Sequence, residues 1–139
     1  MDMKKVPSVL IAEDNDDMLN ILRGMLAQSG VHVIPAINGR EALNILDNPQ
    51  DNSLPDLLLT DIQMPEMSGI ELIREIRNRE NFTNLPIIAM SSGSSEIIKS
   101  ALAAGATRAV SKSFFDRIIE TIKGYLDGGH PTYTQFALP

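Results

Sequence analysis

The chain of 139 residues lacks cysteine altogether, which excludes disulfides, thiolate nucleophiles and cysteine-ligated metal sites. Histidine is scarce, with two residues, and neither stands at the end of a predicted strand, so a Ser-His-Asp hydrolase is disfavoured. The glycine-rich patterns GxxxxGK(S/T) and GxGxxG are absent as well. Nucleotide binding therefore has little support in the sequence.

Long hydrophobic runs and an excess of basic charge are also missing. No apolar run approaches the length that crosses a bilayer, and residues 1–7 lack the apolar core of a signal peptide. We therefore expect a cytoplasmic protein without a membrane partner. With 18 acidic and 12 basic residues the net charge is −6, which argues against direct binding of nucleic acid by this domain. The hydrophobic fraction of 43% is typical of one soluble globular domain.

Short apolar runs alternate with segments of helical periodicity five times along the chain. This alternation predicts a parallel sheet with right-handed crossovers and helices on both faces. Strands one, three and four are the most uniformly apolar and belong in the middle, whereas Pro35 places strand two at an edge. The predicted fold is a flavodoxin-like, doubly wound α/β sheet in the order 2-1-3-4-5, with a switch point between strands one and three. Its strands are 9–12, 31–36, 57–60, 87–90 and 106–111.

Two helices carry side chains whose positions the periodicity predicts. In the first helix Ile21 belongs to an apolar stripe with Met18, Leu22, Met25 and Leu26, which we expect in the core. In the third helix and the residues after it, the charged side chains are expected to form a solvated face; they are Arg74, Glu75, Arg77 and Arg79.

Polar side chains stand at the points where the predicted strands end. Each alone has an ordinary structural interpretation, because acids and serines often cap helices, but the predicted strand order brings them to one edge of the sheet. Carboxylates crowded together repel one another unless a cation neutralises them, and oxygen ligands suit Mg²⁺. Such a metal, with a lysine and a serine hydroxyl, can hold a phosphoryl group against a nucleophilic carboxylate. The residues are Glu13 and Asp14 after strand one, Asp61 after strand three, Ser91 and Ser92 after strand four, and Lys112 after strand five.

The motifs around these residues resemble the response-regulator receiver domain of two-component signalling, and the resemblance covers residues 6–126. We expect a receiver domain over residues 1–126 and a tail, or the start of a linker, over residues 127–139. The resemblance rests on the segments 11–15 (IAEDN) and 61–69 (DIQMPEMSG), on Leu85-Pro86 before Ser91, and on Gly105-Ala106 before Lys112.

The resemblance implies that Asp61 accepts a phosphoryl group from the phosphohistidine of a sensor histidine kinase or a phosphotransfer protein. It implies that Asp14 and Asp61 bind Mg²⁺ directly, that Glu13 binds it through water, and that the backbone carbonyl of Gln63 contributes. The expected protein is a signalling switch that catalyses only its own phosphorylation and dephosphorylation.

Further roles implied by the resemblance concern the phosphoryl group and the output. Ser91 would donate a hydrogen bond to the phosphoryl group, Ser92 would contact it, and Lys112 would pair with it. Movement of Ser91 would then change the face formed by the fourth helix, fifth strand and fifth helix, where an output domain or partner protein binds.

Three residues depart from the family pattern. Ser113 stands where a proline in a cis bond is usual, and a cis bond before another residue costs about 2.5–4 kcal/mol, so we predict a trans Lys112–Ser113 bond and a rearranged loop. Ala109 stands where an aromatic switch residue is frequent, so coupling to the output face would use other contacts. Ser68 replaces the usual aspartate before Gly69, which we expect to change only the turn.

Two other functions fit parts of the pattern. A phosphatase or phosphotransferase with an aspartyl nucleophile usually has a second acid just beyond the nucleophile as a general acid, and here Gln63 disfavours it. A constitutive adaptor would retain the fold without the chemistry, and the complete set of polar residues at the strand ends argues against it.

Overall fold

Five strands and five helices alternate along the chain in the computed structural model, which describes residues 6–50 and 53–127. A 3-10 helix, Glu80–Phe82, precedes the fourth strand. The strands are β1 (Ser8–Ala12), β2 (His32–Ala36), β3 (Leu57–Asp61), β4 (Ile87–Ser91) and β5 (Arg108–Ser111). The helices are α1 (Asp16–Gln28), α2 (Gly39–Asp47), α3 (Gly69–Arg77), α4 (Ser95–Ala104) and α5 (Phe115–Leu126).

The strands pair in parallel in the order β2-β1-β3-β4-β5, which confirms the predicted topology. β1 lies between β2 and β3, and Ala12 at its end is paired with both Ala36 and Thr60. The residues that follow β1 and β3 therefore leave the sheet side by side. This is the switch point of a doubly wound sheet, where such folds bind ligands.

Two apolar layers cover the sheet, one on each face. Alternate residues of the central strands point into opposite layers, as the strand period of two requires. Leu10 and Leu58 pack with residues of α2, α3 and α4, whereas Ile11 and Leu59 pack with residues of α1 and α5. Every residue of β3 and β4 is buried, as expected for strands covered on both sides.

The helices begin where short polar side chains precede them. Asn15, Asn38 and Ser68 each accept a hydrogen bond from a backbone amide of the following first turn, at 2.8, 2.8 and 3.2 Å. Such caps satisfy amides that a helix leaves without partners. Within the described ranges no helix is both long and apolar enough to cross a membrane.

The structure corrects two predicted side-chain positions. Ile21 is 46% exposed, and Leu19, at 7%, is buried instead. The other members of the predicted stripe are confirmed, because Leu22 and Leu26 are buried and Met18 and Met25 pack against the same layer. Arg77 is partly buried and not part of a solvated face, because its guanidinium donates hydrogen bonds to the carbonyl groups of Phe82 and Gly105. The predicted tail or linker over residues 127–139 lies, beyond Asp127, outside the described residues.

Gly24 offers a test of whether α1 is exposed on the side where this glycine lies. It lies inside α1, is exposed, and a Cβ built there meets no atom within 4 Å. Glycine in a helix interior costs about 0.5–1 kcal/mol relative to alanine. Gly24→Ala is therefore expected to raise the free energy of unfolding by about that amount, as measured by urea denaturation.

Gly69→Ala is the matched control for this prediction. A Cβ at Gly69 would collide with the Asp61 carbonyl oxygen and would lie 2.8 Å from Ile62 Cα, so we expect a loss of about 1–3 kcal/mol. If Gly24→Ala destabilised the protein as Gly69→Ala does, α1 would not be the exposed helix described.

Candidate functional site

Three carboxylates lie together at the carboxyl edge of the sheet. Glu13 and Asp14 follow β1, and Asp61 ends β3. One oxygen from each residue lies within 4.8 Å of the others. Glu13 is 1% exposed and Asp61 6%, whereas Asp14 is open to solvent. The adjacency of β1 and β3 brings these acids together, as the predicted strand order required.

Lys112, which follows β5, points into this cluster from the other side. Its Nζ lies 3.0 Å from Asp61 Oδ2 and 3.1 Å from Glu13 Oε1. Its backbone amide donates to the Ser91 carbonyl at 3.0 Å, which fixes the start of the loop after β5. When all groups are ionised, the three carboxylates and the ammonium keep a net charge of −2.

Burial and charge shift the protonation of two of these groups. Burial raises the pKa of Glu13 above its ordinary value and outweighs the hydrogen bond from Asn15. Burial alone would lower the pKa of Lys112, but its contacts with the carboxylates of Asp61 and Glu13 raise that pKa by more. Lys112 therefore stays cationic at neutral pH.

The two oxygens of Glu13 are unequally satisfied. Oε2 accepts a hydrogen bond from the Asn15 amide at 3.0 Å. Oε1 is buried and close to the Lys112 ammonium, but the angles do not give a directed hydrogen bond, so the contact is an ion pair only. A buried oxygen left in this way, beside two further carboxylates, suits a hard divalent cation, and the donor set is compatible with Mg²⁺.

Ser91 ends β4 at the same edge and is buried, whereas Ser92 beside it is exposed. The Gly93 amide donates to Ser91 Oγ at 2.8 Å. Because that bond uses Oγ as an acceptor, the hydroxyl hydrogen remains available for donation to another group. The Ile62 amide donates to the Met90 carbonyl at 3.1 Å and extends the pairing of β3 with β4 up to the site.

The loop from Asp61 to α3 is held by close backbone contacts. The Gly69 amide donates to the Ile62 carbonyl at 2.8 Å, and the space for a Cβ is taken by the Asp61 carbonyl, so only glycine fits. Glu66 has φ of 68°, and the Met67 amide donates to the Pro65 carbonyl at 2.7 Å, which makes a γ-turn. No sequence signal marks this turn, because glycine or asparagine usually occupies such a position.

Gln63 and Ser68 complete this loop. Gln63 is exposed, and its backbone amide approaches Asp61 Oδ1 at 3.4 Å, a long contact. Ser68 caps α3 and forms a capping box with Glu71, so serine in place of the usual aspartate keeps the capping function.

Ser113 and Ala109, the two residues near Lys112 that depart from the family pattern, are both described by the structure. No peptide bond of the described residues is cis, so the Lys112–Ser113 bond is trans, as predicted. Ala109 is completely buried in the layer that contains Ala101 and Ile98 of α4. The helix therefore covers β5 at the position where an aromatic residue is frequent in the pattern that the sequence resembles.

These observations define a class of protein. The chain is a doubly wound α/β domain with three acids and a lysine clustered at its switch point, and with a buried serine at the end of the neighbouring strand β4. The class has flavodoxin-like architecture, with its site at the carboxyl ends of the strands.

Comparison with known proteins narrows the class to a family. The profile of the response regulator receiver domain matches residues 9–123. The polar-differentiation response regulator DivK of Brucella anthropi is 36% identical over 124 residues, which cover 86% of this chain and 95% of DivK. The chain belongs to the response regulator receiver domain family, and it is a receiver domain of two-component signalling.

Solved structures agree with this assignment. The chemotaxis response regulator CheY4 of Vibrio cholerae superimposes with a TM-score of 0.77 at 26% identity, over 86% of this chain and 98% of CheY4. A putative response regulator from Chloroflexus aurantiacus J-10-fl gives a TM-score of 0.79 at 28% identity, over 88% and 99% of the two chains. The predicted family and the predicted flavodoxin-like fold are both confirmed.

The raised pKa of Glu13 leads to a prediction about stability. A group whose pKa is higher in the folded than in the unfolded chain stabilises the fold below its unfolded pKa, and that contribution is lost as the pH rises through the folded pKa. Glu13→Gln stays neutral throughout. In EDTA at neutral pH it is therefore expected to be more stable than the wild type, with an advantage that disappears as the pH falls below 4.5, the ordinary value for glutamate.

Urea denaturation at several pH values measures this difference. Glu120→Gln, at an exposed position of α5, is the control and should follow the wild type at every pH. A Glu13→Gln protein less stable than the wild type at neutral pH would show that the ion pair with Lys112 outweighs the cost of burial.

Proposed function

We propose that this chain is a phosphorylatable switch in which Asp61 takes a phosphoryl group from the phosphohistidine of a sensor histidine kinase or a phosphotransfer protein. An Asp61 oxygen forms the new bond to phosphorus while the bond from phosphorus to the imidazole nitrogen breaks, and the imidazole leaves. The contact of Lys112 Nζ with Asp61 Oδ2 at 3.0 Å is the observation that carries this proposal. This contact places a positive charge next to the position that the phosphoryl oxygens would occupy.

The acidic cluster is the proposed metal site. Asp14 and Asp61 would hold Mg²⁺ directly, Glu13 through water, and the backbone carbonyl of Gln63 would contribute. Bound there, the ion would neutralise the carboxylates and draw charge from the phosphoryl oxygens. The residual charge of the cluster and the unsatisfied Glu13 oxygen support this assignment.

The protein's own groups would orient the phosphoryl group. Lys112, kept cationic by Asp61 and Glu13, would pair with one phosphoryl oxygen. Ser91 would donate its hydroxyl hydrogen to another, since the Gly93 amide already occupies its acceptor side. Ser92, exposed at the start of the same loop, would contact the group from outside.

The output would leave through the face formed by α4, β5 and α5. Ser91 leads directly into the loop before α4, and α4 packs on β5, so a change at Ser91 has a short physical connection to this face. An output domain or partner protein would bind there, and no role in nucleic-acid binding is proposed. We propose residues 1–126 as the receiver unit and residues 127–139 as a tail or linker; the cytoplasmic location remains a prediction.

Phosphorylation by acetyl phosphate with Mg²⁺ tests the acceptor. The wild type should gain one phosphoryl group in its intact mass, and Asp61→Asn should gain none, because an amide is too poor a nucleophile. Asp56→Asn, which alters an exposed aspartate at the opposite end of the same strand, is the control and should be labelled like the wild type. Label retained in Asp61→Asn would refute the assignment of the acceptor.

Thermal unfolding with and without Mg²⁺ tests the metal site. A ligand at ten times its dissociation constant stabilises the folded state by about 1.4 kcal/mol. The wild type should gain about this much, EDTA should reverse the gain, and Asp14→Asn should lose most of it. Asp56→Asn should respond like the wild type, and an unchanged response in Asp14→Asn would exclude Asp14 as a ligand.

A further inference from the structure

The C-terminal end of α4 is fixed by Arg77. Gly105 ends the helix with φ of 123°, and the Ala106 amide donates back to the Ala101 carbonyl at 3.0 Å. Arg77 Nε donates to the Gly105 carbonyl at 2.9 Å. A Cβ at residue 105 would lie 2.7 Å from Arg77 Cγ, so the arginine stem lies directly against this turn.

The same guanidinium ties the turn to two other segments. Arg77 Nη1 donates to the Phe82 carbonyl at 2.8 Å, and Nη2 approaches Thr107 Oγ1 at 3.3 Å. Thr107 is bonded twice to Ile87 at the start of β4: its amide donates to the Ile87 carbonyl at 2.7 Å, and its Oγ1 accepts from the Ile87 amide at 3.0 Å. Arg77, Gly105 and Thr107 thus form one unit, which we name the α4 clamp.

The N-terminal end of α4 is fixed by apolar packing more than by hydrogen bonds, since Ile98 in its first turn is buried in the core. Ser94 precedes the helix but makes no side-chain capping bond, and residues 92–96 are exposed. Gly93 lies between Ser91 and Ile97: its amide donates to Ser91 Oγ, and a Cβ there would lie 2.7 Å from Ile97 Cδ1. The loop that leads into the first turn is therefore bonded to the hydroxyl group that the proposed chemistry would use.

We propose that α4 responds to phosphorylation by moving at its first turn while the α4 clamp holds its last turn in place, with Arg77 as the pivot. This inference rests on the proposed function, because it needs the Ser91 hydroxyl to turn toward a phosphoryl group on Asp61. This rotation of the Ser91 hydroxyl changes the hydrogen bond from the Gly93 amide, and the first turn of the helix is then free to move. The last turn keeps its bonds to Arg77.

The packing of α4 on the sheet favours motion of the backbone over motion of a side chain. Ala109 of β5 and Ala101 of α4 are both completely buried in one layer, and neither has a side-chain rotamer to change. A signal from Ser91 therefore cannot use a rotamer change at Ala109, which favours a route through the helix itself. Because the α4 clamp fixes the C-terminal end of α4, movement of its N-terminal end near Gly93 changes the direction of the helix axis.

Hydrogen–deuterium exchange on the full chain, with and without beryllofluoride and Mg²⁺, tests the proposal. In the wild type, amides of residues 93–98 should change exchange rate at least threefold on addition of beryllofluoride, while those of 101–107 stay unchanged. Arg77→Met keeps the stem and removes the donors. In this variant residues 101–107 should exchange at least tenfold faster without ligand and should also respond to it.

Two further variants make the result decisive. Arg74→Met, at an exposed position of the same helix, should behave like the wild type. Arg77→Lys keeps the charge but cannot reach all three acceptors. As in Arg77→Met, residues 101–107 should respond to beryllofluoride together with residues 93–98. Arg77→Lys replaces Arg77→Met in the test if Arg77→Met does not fold. A wild-type response equal in both halves of α4, or one still confined to 93–98 in both Arg77 variants, would overturn the pivot.

The proposed function can fail separately in the same experiment. Exchange at residues 61–63 reports whether the phosphoryl analogue binds beside Asp61. No change there in the wild type would contradict the proposed function and the movement that depends on it. The anchoring by Arg77 would still be decided by the ligand-free proteins, since it predicts faster exchange of 101–107 in both Arg77 variants and not in Arg74→Met.

Discussion

Repulsion among three carboxylates is the constraint on which the site depends. Glu13, Asp14 and Asp61 offer oxygens within 4.8 Å of one another, and two unit charges at that separation repel by about 3–4 kcal/mol at an effective dielectric constant of about 20. Lys112 approaches two of them at 3.0 and 3.1 Å and offsets much of this, but a net charge of −2 remains. A single lysine can hold the cluster together without neutralising it, which leaves room for a divalent cation.

The fold supplies the rigidity that this arrangement needs. β1 and β3 lie side by side in the middle of the sheet, with apolar layers on both faces, so the acids at their ends cannot move apart without disrupting the core. At Gly69 the loop closes so tightly on the Asp61 carbonyl that no side chain fits. Glu66, in the same loop, has a positive φ, which is an unfavourable conformation for a residue with a Cβ. The loop geometry is thus determined by packing at Gly69 and not by local preference at Glu66.

The amino-acid sequence was sufficient to predict the strand order and the meeting of Glu13, Asp14, Asp61 and Lys112 at the strand ends. Both follow from short-range patterns, namely apolar runs, Pro35 at an edge, and polar residues placed directly after the strands. The partners of Arg77 could not be predicted in this way, because Gly105 and Thr107 lie about thirty residues further along the chain. Ile21 was misplaced for a related reason: it borders the apolar stripe of α1, and only contact with the sheet decides that Leu19 on the other border is the residue that becomes buried.

The same difference between local and distant contacts divides α4 into two unequal halves. Its beginning is attached through the Gly93 amide, which donates to Ser91, and through the apolar packing of Ile97 and Ile98. Its end is attached through charge-assisted hydrogen bonds from Arg77, each stronger than a neutral bond, and through the paired bonds of Thr107 to β4. In the proposed pivot, a disturbance at Ser91 acts on the end of α4 that lacks the bonds to Arg77. Ala109 fits the proposed pivot, since a small buried residue has no rotamer to change, and in that proposal a partner on this face would sense the direction of α4.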